Sequence, residues 1–339
     1  LVQLATFLHI FLLLFGGNER EVILFIIFGT IIVLFLVIDL GLFHKEAHKI
    51  STRSALYQSI FWVTVSTLFG YFIYAYDESG AVGAVEYFSA YLTEYALSVD
   101  NIFVILLILK YFQVDEKYYH KILFWGILGA IVFRAVFIFV GAYLIHKFHW
   151  ILYIFGVFLI YSGIRIYFEE DDDKIEPEKN PVLRFCKKYL PLTTEDFGGK
   201  FLVRLNGKIH FTTLFLVIVL IETTDLIFAV DSIPAAFAIT RNEFLIYTSN
   251  IFAVMGLRAM FFLLSGIIDK FYLLQKGLSI ILFFIGAKML LDILKDEFPD
   301  FIERYVENPY LSFTIILTIL ASSIIFSILV PRKSKITRR

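Results

Sequence analysis

Glu222-Thr223-Thr224-Asp225-Leu226-Ile227-Phe228-Ala229-Val230-Asp231-Ser232-Ile233-Pro234-Ala235 lies inside an apolar run from about 212 to 238. At about 1.5 Å of rise per residue, a helix over that run crosses a hydrocarbon core of about 30 Å. Yet the stretch holds three acids. A charge near the bilayer centre costs roughly 2.5–3.5 kcal/mol even on the lenient insertion scale, so such residues are functional candidates.

The rest of the chain agrees with a membrane setting. Of its 339 residues, 59% are hydrophobic and 18% charged, and the mean hydropathy is +0.79. A soluble domain carries roughly 45–50% apolar and about 25% charged residues. Nine runs are long enough to span, near 22–43, 54–76, 86–112, 121–145, 149–168, 212–238, 243–264, 271–293 and 309–330. The expected fold is all-α: one polytopic transmembrane bundle of about nine spans over residues 21–338. Residues 1–20 form a separate apolar segment, open to reading as a truncated signal, an interfacial helix or a further span.

A net charge of −1 gives no global field for nucleic acid. The single cysteine, Cys186, excludes a disulfide within the sequence and reads as an inert thiol. Orientation follows from lysine and arginine. The tail Pro331-Arg332-Lys333-Ser334-Lys335-Ile336-Thr337-Arg338-Arg339 is strongly basic, and counting back puts Lys45, Lys49, Arg53, Lys117 and Lys121 on the same side. Asp77, Glu78 and the acidic stretch Asp296 to Glu307 fall opposite. The expected location is the cell (inner) membrane with a cytoplasmic C-terminus. The long polar stretch from Glu169 to His210 is then cytoplasmic. It opens on a solvated acidic run, Glu169-Glu170-Asp171-Asp172-Asp173, and Gly198, Gly199 and Asn206-Gly207 predict a small hairpin.

The third to fifth spans match the sixth to eighth. Glu94-Tyr95-Ala96-Leu97-Ser98-Val99-Asp100-Asn101 parallels Asp225 to Ser232: acid, five residues, Asp, then a small polar residue. Arg134-Ala135-Val136-Phe137 parallels Arg258-Ala259-Met260-Phe261, and Gly163-Ile164-Arg165 parallels Gly286-Ala287-Lys288. Three spans per copy is odd, so the second copy enters from the opposite side. The expectation is an inverted-topology pair, repeat one about 86–168 and repeat two about 212–293, joined by a cytoplasmic loop of about 169–211. Such transporters bind substrate near the midplane between copies.

The charges within spans are Asp39, Glu94, Asp100, Glu222, Asp225 and Asp231 against Arg134, Arg165, Arg258 and Lys288. The excess of two negative charges is what one divalent cation would neutralise. Residues six apart on an ideal helix point about 120° apart and lie about 9 Å apart along the axis. Neither Glu94 with Asp100 nor Asp225 with Asp231 can therefore grip one ion from one helix. Packed antiparallel, the spans would set Asp100 level with Asp225, and Glu94 level with Asp231. Pro234 frees the carbonyl of Val230, which predicts a break beside Asp231. Ser98, Asn101 and Glu222 could add oxygen ligands, and Arg134 and Arg258 supply counter-charge. The blander alternatives are interhelical hydrogen bonds for Ser98 and Asn101, and salt bridges to the two arginines with no ion. No histidine lies deep in a span and no cysteine in any, so an oxygen-only site favours Mn²⁺, Ca²⁺ or Mg²⁺ over zinc or copper. His44 and His48 read as a juxtamembrane surface pair.

Asp39-Leu40-Gly41-Leu42-Phe43-His44, Ser98-Val99-Asp100-Asn101, Glu222 to Ala235 and Tyr247-Thr248-Ser249-Asn250-Ile251-Phe252-Ala253 resemble the TerC/Alx family, part of a larger LysE-like exporter superfamily. The resemblance runs from about Glu21 to the last span. It implies a membrane protein linked with tellurium resistance and manganese efflux, and points to Glu94, Asp100, Asn101, Glu222, Asp225 and Asp231, with Asp39 less secure.

The leading expectation is a non-enzymatic exporter of a divalent ion, Mn²⁺ first, working by alternating access with proton coupling. It has no resident cofactor; its partners are the bilayer, the metal ion and protons. The rival is a membrane partner protein that assists insertion or metallation of other proteins, which leaves the paired buried acids unexplained. An intramembrane aspartyl hydrolase and a tellurite carrier built on the arginines fit less well, because the acids come in repeat pairs and outnumber the bases.

Overall fold

The computed structural model describes residues 19–43, 51–168, 181–193, 197–205, 207–265 and 272–330. Its long helices are α1 (Glu19–Phe43), α2 (Thr52–Tyr76), α3 (Gly80–Tyr111), α4 (Tyr119–Lys147) and α5 (Ile151–Phe168). After a short helix α6 (Pro181–Tyr189) and strands β1 (Leu192–Thr193), β2 (Leu202–Leu205) and β3 (Lys208–Thr212) come α7 (Thr213–Ile239), α8 (Glu243–Leu264), α9 (Tyr272–Leu291) and α10 (Pro309–Leu329). Eight of these, α2–α5 and α7–α10, are long and apolar enough to cross a membrane. The further span expected at 22–43 falls on the 25-residue helix α1, of which only Ile23–Val37 counts as an apolar helix among the described residues, too short to join those eight. The chain is thus a polytopic helical bundle. Asn242 and Asn308 start α8 and α10 by accepting the first free backbone N–H groups, the usual device for helix entry.

Two boundary expectations change. The third span begins at Gly80 instead of 86, because the turn at Asp77–Ser79 leads straight into the helix. Pro234 does not break the sixth span: α7 runs unbroken from Thr213 to Ile239 with the proline inside it. Its ring still denies Val230 a donor, but burial of Ile233, Pro234 and Phe237 holds the helix together.

Each helix of one expected copy packs on its sequence counterpart: α3 on α7, α4 on α8, α5 on α9. The α5–α9 approach is backbone to backbone. A Cβ on Gly163 would lie 2.7 Å from the Ser279 carbonyl oxygen, and one on Gly286 would lie 2.6 Å from that of Gly156. Small residues permit this where hydrophobic collapse gives helices no drive to associate in lipid. Helix α8 is buried nearly all round, as the wide apolar surface of a central helix requires.

The hairpin expected near Asn206-Gly207 is present. β2 and β3 pair antiparallel, with Leu205 opposite Lys208, and Gly207 takes φ +78°. β1 adds parallel to β3, giving the order β1-β3-β2. The expectations for residues 1–18, His44, His48, the acidic run Glu169–Asp173 and the basic tail after Val330 lie outside the described residues.

Candidate cation site

On α3, Glu94, Ser98 and Asn101 recur at helical spacing on one face, and all three are buried. Asp100 points about 100° from Asn101 and is half-buried. On α7, Glu222 and Asp225 lie one turn apart, and Asp231 is half-buried further along.

The centre of the site is Arg134 of α4, fully buried. Its Nη1 donates to Glu94 Oε1, and to Asn250 Oδ1 at 2.9 Å. Its Nη2 donates to Asp225 Oδ1 at 3.2 Å. Asn101 Nδ2 reaches the same Asp225 oxygen at 3.3 Å. One guanidinium therefore ties acids from counterpart helices α3 and α7 to an amide from α8. Beside it lies a cavity of about 30 Å³, room for a single water or ion, whose polar lining is Asn101, Thr224 and Asp225.

Glu222 lies one turn from Asp225 toward the N-terminus of α7. Both its carboxylate oxygens are buried without a protein hydrogen-bond donor. The carboxylate fits against Gly129 of α4, where a Cβ would lie 2.3 Å from Oε2, and is flanked by Gly126. Ser98 Oγ, Asn101 Oδ1 and Asn250 Nδ2 are likewise buried with no partner in the structure. Lone buried polar atoms are costly in an apolar interior.

The cross-pairing expected from spacing is corrected. Glu94 does not meet Asp231. Arg134 draws Glu94 to Asp225, while Asp231 Oδ1 accepts from Ser162 Oγ of α5 at 2.7 Å, with Arg165 near enough to act on it electrostatically. Asp225 does face the Asp100–Asn101 level, where Asn101 donates to it. Glu94 and Asp225 thus share one place and Asp231 occupies another, and among the described residues no three Asp, Glu, His or Cys side chains converge as a preformed metal cluster. Arg134 is a counter-charge in the geometry; Arg258 is buried in α8. Asp39 belongs to α1, and its side chain lies outside the described residues.

Spacing missed Asn250, Ser162, Gly126 and Gly129. Asn250 was legible in principle, as an amide in the middle of an apolar span. Ser162 was not, because a serine within a span can satisfy its hydroxyl on its own helix.

A model of the family described as integral membrane protein TerC family matches residues 79–335. A protein from Rickettsia bellii named uncharacterized membrane protein is 43% identical over 315 residues, covering 93% of this chain and 99% of that protein. One from Myxococcus xanthus, likewise named, is 37% identical over 306 residues, covering 90% and 92%. A protein from Photorhabdus laumondii named putative membrane-bound redox modulator Alx is 42% identical over 271 residues, covering 78% and 84%. No solved structure matches the chain.

Proposed function

Because the chain belongs to the TerC family of integral membrane proteins, and because its central buried acids meet on one arginine, we propose that it exports a divalent metal ion, Mn²⁺ foremost, through the bundle centre. The observation that carries this reading is Arg134 held between Glu94 and Asp225, one acid from each counterpart helix. A pair of carboxylates gathered around a tethered monocation is a place where a free dication competes well, since Coulomb attraction rises with charge and with falling dielectric. Asn101, Asn250 and Ser98 would complete an oxygen set of the kind Mn²⁺ accepts, and no histidine or cysteine is at hand to favour zinc. Arg134 returning to the acids after the ion leaves would let the carrier reset. Proton coupling and alternating access between the two copies belong to the same proposal.

The test is Mn²⁺ flux into inside-out proteoliposomes, with and without a pH gradient and with Zn²⁺ as competitor. Asp225→Asn and Glu94→Gln should each reduce flux at least about tenfold, the rate equivalent of about 1.4 kcal/mol. Wild-type flux in both variants would defeat the proposal.

A further inference from the structure

The β2–β3 hairpin has two faces with different fates. Strand register places Leu202, Arg204, Ile209 and Phe211 on one face, because Leu202 pairs with Phe211 and Arg204 with Ile209. The alternate residues point the other way. Just before β2, Phe201 packs against the start of α4, with its ring 6.3 Å from Trp125 and under the Lys121 ammonium at 4.7 Å. Lys121 also donates to the Gly199 carbonyl at 2.9 Å, and Thr212 Oγ1 to that of Lys200 at 2.8 Å. The contacts of Phe201 and Gly199 fix the base of the hairpin against the bundle, and the Thr212 bond closes that base on itself.

The opposite face is left outward. Leu202 and Ile209 are 51% and 59% exposed, and Arg204 between them is exposed too. This face does not end at the sheet. β3 passes into α7 with no linker, and Phe211 packs at a 45° tilt on Phe215 in the first turn of that span, 4.6 Å between ring centroids. The apolar surface is thus continuous with the first turn of a candidate membrane span and carries one arginine. The segment 200–212 holds Lys200, Arg204 and Lys208 and no acid.

We propose that the outward face of this hairpin lies on the membrane, with Leu202 and Ile209 in the interfacial layer and Arg204 on the phosphate of an anionic phospholipid. Apolar side chains enter the headgroup–acyl boundary, and basic ones add attraction to anionic lipid. The surface anchors the segment joining the two sets of three spans to the bilayer that surrounds them.

The test uses the full chain in vesicles of phosphatidylcholine, with and without phosphatidylglycerol. A polarity-sensitive fluorophore is placed on Ile209→Cys in a Cys186→Ser background, and separately on Leu202→Cys in case either variant folds poorly. Shallow doxyl-labelled lipid should quench both labels, and more strongly when phosphatidylglycerol is present. Arg204→Gln should weaken the anionic-lipid response about fivefold, the equivalent of about 1 kcal/mol per basic residue at such a surface. Quenching by aqueous iodide and not by doxyl lipid would overturn the proposal. So would a label shielded from both, which would report contact with a second copy, and so would a lipid response indifferent to phosphatidylglycerol and to Arg204→Gln.

Discussion

Arg134 Nη2 stands 3.2 Å from Asp225 Oδ1, and the same guanidinium also holds Glu94, so one cation serves two acids from separate helices. Both acids are largely withdrawn from bulk water: Glu94 has 2% and Asp225 12% of its side chain exposed. In such surroundings the pairing itself adds little net stability, but removing one member leaves charge stranded.

Arg134→Gln should therefore lower stability by about 3–5 kcal/mol, read as a fall in Tm in detergent. Mn²⁺ should raise the Tm of this variant more than that of the wild type, because an ion that binds only the folded state stabilises by mass action and no longer competes with the guanidinium. An equal shift in both proteins would count against the ion occupying the place between the acids.

Gly129→Ala puts a methyl 2.3 Å from Glu222 Oε2. Overpacking of this kind costs about 1–3 kcal/mol, and the shorter side chain in Gly129→Ala/Glu222→Ala should recover most of it. Thermal unfolding of the two single variants and the double variant measures the coupling. Additive effects would show that the carboxylate does not use the glycine niche.

Gly163→Val should disrupt the bundle more than Gly129→Ala. The first atom it adds would meet backbone, the Ser279 oxygen at 2.7 Å and the Phe283 nitrogen at 2.9 Å, and backbone cannot swing aside. Loss of a monodisperse folded peak in size-exclusion chromatography is the expected outcome. Gly29→Val in α1, where a Cβ meets nothing within 4 Å, is the control and should fold normally.

Cys186 is buried in α6, and desolvation raises its thiol pKa above the ordinary value. At any pH up to that of a free thiol's titration, less of it is thiolate than in an exposed cysteine, so alkylation should be slower throughout and should accelerate only at higher pH. Maleimide labelling of the folded chain against pH, with denatured chain as reference, checks this. Equal rates in the two states would contradict the burial.

The sequence by itself determined the membrane class, the places of eight spans, with the start of the third six residues off, the hairpin near Gly207 and the matched spacing of Glu94 and Asp100 with Asp225 and Asp231. These depend on local quantities: the length of an apolar run, the turn preference of a dipeptide, the spacing of residues along one helix. It could also say that acids six apart on a helix must face different ways, and they do: Asp225 turns to Arg134 and Asp231 to Ser162. Which partner each acid meets was decided only by the tertiary structure. That choice depends on how deep neighbouring helices sit and how closely they cross, and these are set by glycine contacts such as Gly163 on Ser279 and by the reach of one long side chain. A register inferred from spacing assumed two level layers of carboxylates. Arg134 reaches Glu94 and Asp225 together, and so makes one centre of two acids on a single cation where spacing alone implied two matched pairs.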